Sequence, residues 1–391
     1  MKKVVVAMDS FKGCLSSAEV EKAAEEGIKK VCPDCDVILI PIADGGEGIL
    51  EIFVEATHGT YREVFANDPL MRQRKTCYGI SGDGETALIE MAAVNGLPLL
   101  MESERNPMLT TTFGTGELIL DALEYGCRKF IIGIGGSATN DAGLGMLQAL
   151  GIRLFDVNGN ILGVGGKVMR QVATIDCSSL HPALKDSHFT IACDVCNSFC
   201  GPQGAAYIFA RQKGANSAMI EELDAGMYLL SKVIESVTGK IITHVPGAGA
   251  AGGLGGAFLA FLNAELKSGI DLLFQMLNFA ERIRGADLII TGEGRIDRQS
   301  IMGKVPSGVL QEARKQSIPV VAVVGSVKDS ELLRQIGFQG IFSILSAPMS
   351  LEKAMEPDMA KSNISQTVAQ VISLAECFQT PKNEWSIDEK F

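Results

Sequence analysis

Short apolar runs alternate with amphipathic stretches at both ends of the chain. Continuous apolar runs are typical of strands buried on both faces of a parallel sheet, and a spacing of three to four residues between apolar positions is typical of helices. Ser16 lies three residues before Glu19, the arrangement of a capping box at a helix start. We predict strands at 3–8, 36–41, 286–291, 318–325 and 340–345, and helices at 16–31, 47–56, 307–316, 329–336 and 361–378.

The middle of the chain has a different pattern. A tight Ser-Gly-Asp-Gly turn at 81–84 separates two strand-like stretches at 74–80 and 85–91, which predicts a hairpin. Glycine-rich segments follow at 133–143, 163–166 and 247–256. We therefore predict an α/β protein in which a doubly wound parallel sheet is built from both chain ends and a second, mixed-sheet α/β domain is inserted.

The predicted boundaries follow from this change of pattern. Residues 1–65 and 286–380 would form the discontinuous first domain, 66–285 the inserted domain, and 381–391 a polar tail. Because the chain passes twice between the two domains, we expect a ligand-binding cleft between them.

Composition and charge exclude several classes of protein. Of the 391 residues, 47% are hydrophobic and 21% charged, which argues against a disordered or fibrous chain. The formal net charge of −11 argues against nucleic acid or a membrane surface as partner. The apolar start of the chain ends at Asp9, too early for a secretory signal. The uncharged stretch 241–264 contains His244, Pro246 and many glycines, unlike a membrane helix. We expect a cytoplasmic protein.

The ten cysteines are expected to be reduced thiols without a metal. Cys193, Cys196 and Cys200 form the one cluster with metal-ligand spacing, but a closed structural site needs a fourth ligand nearby. Cys32 and Cys35 have redox-motif spacing, but they lie at a predicted helix-to-strand turn rather than at a helix N-terminus.

In the first domain, each of the first three predicted strands is followed by a loop in which carboxylates stand among glycines. They occur at 9–13, 44–48 and 292–297, and lysines stand at 12 and 304. Ligands of doubly wound sheets bind beyond the carboxyl ends of the strands. Carboxylates suit Mg²⁺, while lysines and backbone amides suit phosphate oxygens. Any one of these loops could be an ordinary turn, but three with the same chemistry favour a metal–phosphate site.

The inserted domain has matching features. A Thr-rich segment at 110–116 and a Gly-Gly-Ser-Ala-Thr-Asn-Asp segment at 135–141 place hydroxyls and amides before helices, where anions bind. Asp194 follows a predicted strand at 189–193 and precedes Asn197. Asp194 is therefore a candidate general base, although a plain turn residue is also open.

Two nucleotide-binding motifs are present only in part. Residues 247–252 match Gly-x-Gly-x-x-Gly, but a dinucleotide site needs a second strand before an acidic residue. Asp271 has the right distance, yet 263–269 is polar and is not predicted to be a strand. Gly303-Lys304 is not part of a phosphate loop, because the motif requires glycine where Arg298 stands.

Nine motifs, in this order, resemble the type I glycerate kinase family from about residue 3 to 378: DSFKG, ADGGEG, TTFGTGEL, GIGGSATNDAG, CDV-N, QKGA, PGAGAAGGLG, TGEGRID-Q and GKVPSGV. The resemblance implies a flavodoxin-like first domain. It also implies an ATP-dependent kinase, a phosphotransferase with an alcohol group as acceptor, that converts D-glycerate to phosphoglycerate with Mg²⁺, with 2-phosphoglycerate favoured. Cys14, Cys196 and Ser198 depart from the family pattern, and because the changes are small-for-small we expect altered loop stiffness rather than lost activity.

The resemblance and the loop chemistry together assign the candidate residues. The expected catalytic residues are Asp194, Lys12 and Lys304, and the expected metal ligands are Glu293 and Asp297. Substrate or phosphate contacts are expected from Asp44, Glu47, Thr111, Thr112, Gly135, Gly136, Ser137, Asn140, Asp141, Asn197, Gly292 and Gly294. D-glycerate and ATP are the expected partners, and a homodimer is left open. A hydroxy-acid dehydrogenase and a non-enzymatic anion-binding protein remain as alternatives.

Overall fold

The structure is a computed structural model that describes residues 1–42, 49–296, 305–328 and 335–379. The chain divides into two compact units, Met1–Asp44 with Leu273–Phe391, and Gly45–Leu272. The boundaries predicted from the sequence were 65/66 and 285/286. In the structure the units divide earlier along the chain at both places, and the second division falls within the helix that begins at Gly269.

The described residues form the following elements. The strands are β1 (Lys3–Met8), β2 (Asp36–Leu39), β3 (Thr60–Asn67), β4 (Gln73–Ile80), β5 (Thr86–Glu90), β6 (Lys129–Gly133), β7 (Arg153–Phe155), β8 (Thr174–Asp176), β9 (His188–Ala192), β10 (Glu265–Lys267), β11 (Leu288–Gly292), β12 (Arg295–Ile296), β13 (Val320–Val324), β14 (Ser326–Val327) and β15 (Gly340–Ser343). The helices are α1 (Ser17–Val31), α2 (Ile49–Ala56), α3 (Ala92–Asn95), α4 (Phe113–Tyr125), α5 (Leu144–Ala149), α6 (Ala205–Phe209), α7 (Ser217–Thr238), α8 (Ala250–Phe261), α9 (Gly269–Met276), α10 (Phe279–Arg282), α11 (Val305–Lys315), α12 (Leu351–Ala354) and α13 (Pro357–Gln379).

The first unit contains a parallel sheet with the order β15-β13-β11-β1-β2. Counted along the chain within this unit, the order is that of flavodoxin, so the predicted doubly wound sheet from both chain ends is confirmed. Every residue of β11 and β13 is buried, as their continuous apolar sequences require. The strand order reverses between β1 and β11, because the chain proceeds from β1 to one edge of the sheet and from β11 to the other.

The long helices α1 and α13 pack together over this sheet. Ile28 of α1 shares a core with Ile364 and Val368 of α13. A Cβ at Gly27 would lie 2.4 Å from the backbone oxygen of Ser365, so glycine allows the two helices to approach closely. The helix start is also as predicted, since Ser16 and Glu19 form a capping box.

The second unit contains a sheet with the order β10-β9-β6-β5-β4-β3. β10, β9, β6 and β5 are parallel, whereas β4 runs antiparallel to β5 and β3, so the predicted mixed sheet is confirmed. β3 pairs with β4 along its whole length, and Leu50 and Phe53 of α2 cover Gly79 of β4. These contacts explain why α2 and β3 belong to the second unit.

One prediction about this unit is wrong. The polar stretch 263–269 was not expected to be a strand, yet β10 (Glu265–Lys267) pairs with β9 in parallel. An edge strand of three residues needs only one inward-facing apolar side chain, and Leu266 packs against the core. Across the described ranges, no helix is long and apolar enough to cross a membrane.

Candidate active site

Two acidic residues follow neighbouring strands where the strand order of the first sheet reverses. Met8 of β1 pairs with Gly292 of β11, and the N–H of Asp9 donates to the Gly292 carbonyl at 2.9 Å. Asp9 and Glu293 therefore follow two neighbouring strands at their carboxyl ends. Their exposed fractions are only 4% and 8%. Asp9 was not among the predicted site residues, although its position directly after the first strand was a signal for it.

Helix α1 fixes the end of β1 next to Asp9. β2 ends at Leu39, so the polar groups of Met8 on that side need other partners. The Ser17 hydroxyl donates to the Met8 carbonyl at 2.5 Å, and Glu21 Oε1 accepts from the Met8 N–H at 3.4 Å. Burial raises the pKa of Glu21 to about 9, so this side chain is a neutral acid at pH 7.

A small closed loop presents Lys12. The N–H of Phe11 donates to the Leu15 carbonyl at 2.9 Å, and the N–H of Cys14 donates back to the Phe11 carbonyl at 2.8 Å. Gly13 has a φ of +76°, which glycine adopts without strain. Lys12 lies at the exposed tip of this loop, and its backbone nitrogen would lie 3.8 Å from a Cβ at Gly294.

Gly292 and Gly294, the two predicted site glycines at the end of β11, differ in role. A Cβ at Gly292 would lie 1.9 Å from the Val323 carbonyl, so Gly292 is required by the packing of the sheet. A Cβ at Gly294 would lie no closer than 3.5 Å to Phe11, so the structure imposes no such requirement there. The Gly294 carbonyl accepts from the N–H of Ser326, which ties this loop to the one after β13.

Four predicted residues lie outside the described residues: Asp44, Glu47, Asp297 and Lys304. Within the described part of the chain, no group of three or more metal-ligating side chains is assembled. Asp9 and Glu293 are the described carboxylates that directly follow β1 and β11.

The carboxyl edge of the second sheet brings another set of predicted residues together. Asp194 is exposed and lies two residues beyond the end of β9, and its Oδ1 accepts from the N–H of Gly269 at 2.9 Å. Gly269 begins α9, so the helix start orients the carboxylate. Asn197 donates through Nδ2 to the Gln203 carbonyl at 3.1 Å, and the backbone carbonyl of Asn197 accepts from the N–H of Gly249.

The loop from Gly135 to Asp141 follows β6 at the same edge. Gly135 and Gly136 are exposed, whereas Ser137 and Asn140 are buried. Asn140 Oδ1 has no hydrogen-bond partner among the described residues. Unsatisfied buried polar atoms are uncommon in native proteins, which favours a functional loop over a purely structural one.

Asp141 is fully buried and is surrounded by donors from the protein itself. Its Oδ2 accepts from the hydroxyls of Thr111 and Thr112, at 3.1 and 3.0 Å, and from the N–H groups of Thr112 and Gly145. Its Oδ1 accepts from the N–H of Gly143. Burial raises the pKa of Asp141, and these hydrogen bonds oppose that shift. We therefore interpret Asp141, Thr111 and Thr112 as supports of the loop rather than as direct ligand contacts.

Lys213 is a buried lysine that the site prediction missed. Its Nζ donates to the Ser137 hydroxyl and to the Thr139 carbonyl, both at 2.7 Å. Burial lowers the pKa of Lys213 to about 7, although the nearby Asp141 carboxylate opposes the shift. The QKGA motif contained this lysine, so a signal was present in the sequence.

The glycine-rich segment 247–256 packs against this loop. The N–H of Ala142 donates to the Gly252 carbonyl at 3.0 Å, and a Cβ at Gly252 would lie 2.1 Å from the Thr139 carbonyl. No strand lies between α7 and Gly247, a stretch that is fully described. A dinucleotide fingerprint requires a strand there, so the Gly-x-Gly-x-x-Gly match has a packing role instead.

Two thiols of the Cys193–Cys200 cluster, those of Cys193 and Cys200, lie in surroundings that disfavour the thiolate. Cys193 donates to the Val195 carbonyl, and burial raises the pKa of both Cys193 and Cys200. All ten cysteines fall in described ranges, and none forms a disulfide. A raised pKa disfavours the reactive thiolate.

Comparison with known proteins agrees with this architecture. The model of the glycerate kinase family matches residues 4–376. The chain is 48% identical to the glycerate 2-kinase of Escherichia coli (strain K12), covering 94% of this chain and 98% of that protein. It is 45% identical to the glycerate kinase of Bacillus subtilis (strain 168), covering 90% and 93%. A crystal structure assigned as glycerate kinase 2 from Salmonella typhimurium LT2 superposes with a TM-score of 0.87 at 42% identity, covering 97% of this chain and 99% of that one. The chain therefore belongs to the glycerate kinase family.

Proposed function

We propose that this protein transfers the γ-phosphoryl group of ATP to the 2-hydroxyl of D-glycerate, in the cytoplasm, giving 2-phosphoglycerate and ADP. The observation that carries the proposal is the family match over residues 4–376, on a fold in which Asp9 and Glu293 follow neighbouring parallel strands. The dehydrogenase alternative loses its basis, because the Gly247–Gly252 segment is not preceded by a strand.

The first unit is the proposed binding site for the metal and the phosphates of ATP. Mg²⁺ prefers oxygen ligands, and the neighbouring carboxylates of Asp9 and Glu293 fit that preference. Asp297 and Lys304 are proposed to complete the site. When bound, Mg²⁺ would neutralise charge on the transferred phosphate. Lys12, on its exposed loop, would hold phosphate oxygens by charge and hydrogen bonding.

The second unit is the proposed binding site for glycerate. The exposed backbone of Gly135 and Gly136 and the Ser137 hydroxyl would bind the carboxylate of the substrate. Asp194 would accept the proton of the attacking hydroxyl, because it is exposed at a strand end and oriented by the Gly269 N–H. Asn197 is proposed to contact the substrate from the same edge.

Replacing Asp194 by asparagine tests its role as base. The change preserves size and removes proton acceptance, so we expect kcat to fall by about 10²- to 10⁴-fold with little change in the KM for ATP. Asp224→Asn is the matched control, because Asp224 likewise accepts one backbone N–H, from Gly201 at 2.7 Å. A kcat within threefold of wild type, or rescue by raised Mg²⁺ with a large rise in the KM for ATP, would contradict the assignment.

Substrate-dependent release of ADP tests the activity itself. With Mg·ATP, we expect D-glycerate to drive ADP formation and glucose to be inert. Binding of D-glycerate without ADP release would indicate a non-enzymatic binding protein, and equal turnover of glucose would remove glycerate as the specific substrate.

A further inference from the structure

The side-chain amine of Lys213 is buried and has an unusual set of partners. Only 2% of the residue is exposed, and Lys213 forms no salt bridge with any carboxylate of the described chain. Its two hydrogen bonds, to the Ser137 hydroxyl and the Thr139 carbonyl, are both 2.7 Å long. A buried lysine normally has an anionic partner, because burying an unpaired charge is costly.

The direction of these hydrogen bonds fixes the Ser137 hydroxyl. In its protonated form Lys213 is a donor only, so Ser137 Oγ then acts as the acceptor in this contact. The hydrogen of Ser137 Oγ therefore points away from Lys213. That hydrogen has no acceptor among the described residues, since the contact with Lys213 is the one hydrogen bond found for the Ser137 side chain. Ser137 adjoins Gly136, which is exposed.

We propose that Lys213 is a positioning residue that makes the Ser137 hydroxyl a donor to the carboxylate oxygen of the acceptor substrate. This inference rests on the proposed function, because the carboxylate is that of a small hydroxy acid such as glycerate. The chain of hydrogen bonds from Nζ through Oγ to an anionic oxygen strengthens each bond in it. A bound carboxylate would also act with the nearby Asp141 to favour the protonated form of Lys213.

A purely structural role for Lys213 makes different predictions. In that case the contact with the Thr139 carbonyl would hold the loop, and loss of Lys213 would lower stability and disturb kinetics in general. The proposed role instead affects binding of the acid selectively and requires the Ser137 hydroxyl.

Four variants separate the two roles: Lys213→Met, Ser137→Ala, Ser137→Thr and the double variant Lys213→Met with Ser137→Ala. Binding of D-glycerate is measured by calorimetry without ATP, alongside kcat and both KM values. We expect Lys213→Met and Ser137→Ala each to weaken D-glycerate binding by about ten- to hundredfold, the range for losing a charge-assisted hydrogen bond. The double variant should bind D-glycerate no more weakly than the single variant with the lower affinity. Ser137→Thr should retain D-glycerate binding because it keeps the hydroxyl. The KM for ATP should stay within about twofold.

The inference is overturned if Ser137→Ala binds D-glycerate as wild type does, or if the effects of the two single variants simply multiply. Thermal unfolding checks the fold of each variant. If Lys213→Met does not fold, Lys213→Gln takes its place in the same comparison, while Ser137→Ala against Ser137→Thr tests the contact of the hydroxyl with D-glycerate. If the wild type releases ADP and Ser137→Ala binds D-glycerate as tightly as the wild type, this inference is refuted and the proposed function stands. A wild type that binds D-glycerate through Ser137 without releasing ADP refutes the proposed function alone, and a wild type that does neither refutes both.

Discussion

Replacing Asp141 by asparagine should destabilise the second unit markedly. The carboxylate is fully buried and accepts hydrogen bonds on both oxygens. The asparagine amide must replace one oxygen with an NH₂ group. If it replaces Oδ1, the NH₂ group faces the N–H of Gly143, and if it replaces Oδ2, it faces the N–H groups of Thr112 and Gly145.

The magnitude follows from the groups left unpaired. A buried donor without a partner costs about 1–3 kcal/mol, and the better orientation of the amide leaves the Gly143 N–H and the new amide hydrogens without acceptors. The bonds that remain lose their charge-assisted strength, while removal of a buried charge offsets part of the loss. We expect the free energy of unfolding to fall by about 2–4 kcal/mol, a large share of the stability of a typical domain.

Urea unfolding followed by far-UV circular dichroism measures this change. Asp156→Asn is the matched control, because Asp156 also accepts several hydrogen bonds, from the N–H groups of Asn158 and Asn160, but in an exposed turn. The control should lose less than about 1 kcal/mol. An Asp141→Asn variant that loses no more than the control would refute the interpretation of Asp141 as the support of this loop.

Three further outcomes are expected. Gly252→Ala should lower the free energy of unfolding by about 2–5 kcal/mol in urea titrations, because its φ is +68° and the added Cβ would meet the Thr139 carbonyl; an unchanged midpoint would contradict the packing role. A triple serine variant of the Cys193–Cys200 cluster should keep kcat within about tenfold, and stoichiometric zinc or iron in the purified wild type, measured by mass spectrometry, would count against this. The pKa of Glu21 is about 9 in the fold against 4.5 as the ordinary value, so the folded state holds the proton more tightly and wild-type stability should fall as pH rises between these values. In urea titrations at pH 5 and pH 8, Glu21→Gln should reduce the difference in the free energy of unfolding between the two pH values. The same difference in both proteins would show that Glu21 is ionised in the fold.

The sequence predicted the elements of the first unit well because their patterns are local. The apolar run at 3–8 is β1 itself, and Ser16 and Glu19 cap α1 as expected. Boundaries were less accurate, since α13 begins at Pro357 rather than 361. The assignment of β3 to the second unit depends on its pairing with β4, a contact that no local pattern encodes.

The sequence was enough to indicate where the candidate residues lie, whereas the role of each residue stays a prediction. The carboxyl ends of strands were the right places to search, and Asp194, Ser137 and Glu293 do lie there. The difference between Gly292, which the sheet requires, and Gly294, which it does not, depends on atoms from distant parts of the chain. The burial of Lys213 likewise arises from packing between segments far apart in sequence, so its motif could mark it but could not assign it a role.

The most direct test of the account is the fate of the transferred phosphoryl group. Wild-type protein is incubated with Mg·ATP and D-glycerate, and the products are followed by ³¹P and ¹H nuclear magnetic resonance. We expect a phosphomonoester whose phosphorus couples to the proton on C2, in equal amount to the ADP formed. Inorganic phosphate in place of the ester, or ATP that remains unchanged, would contradict the proposal that this protein phosphorylates glycerate.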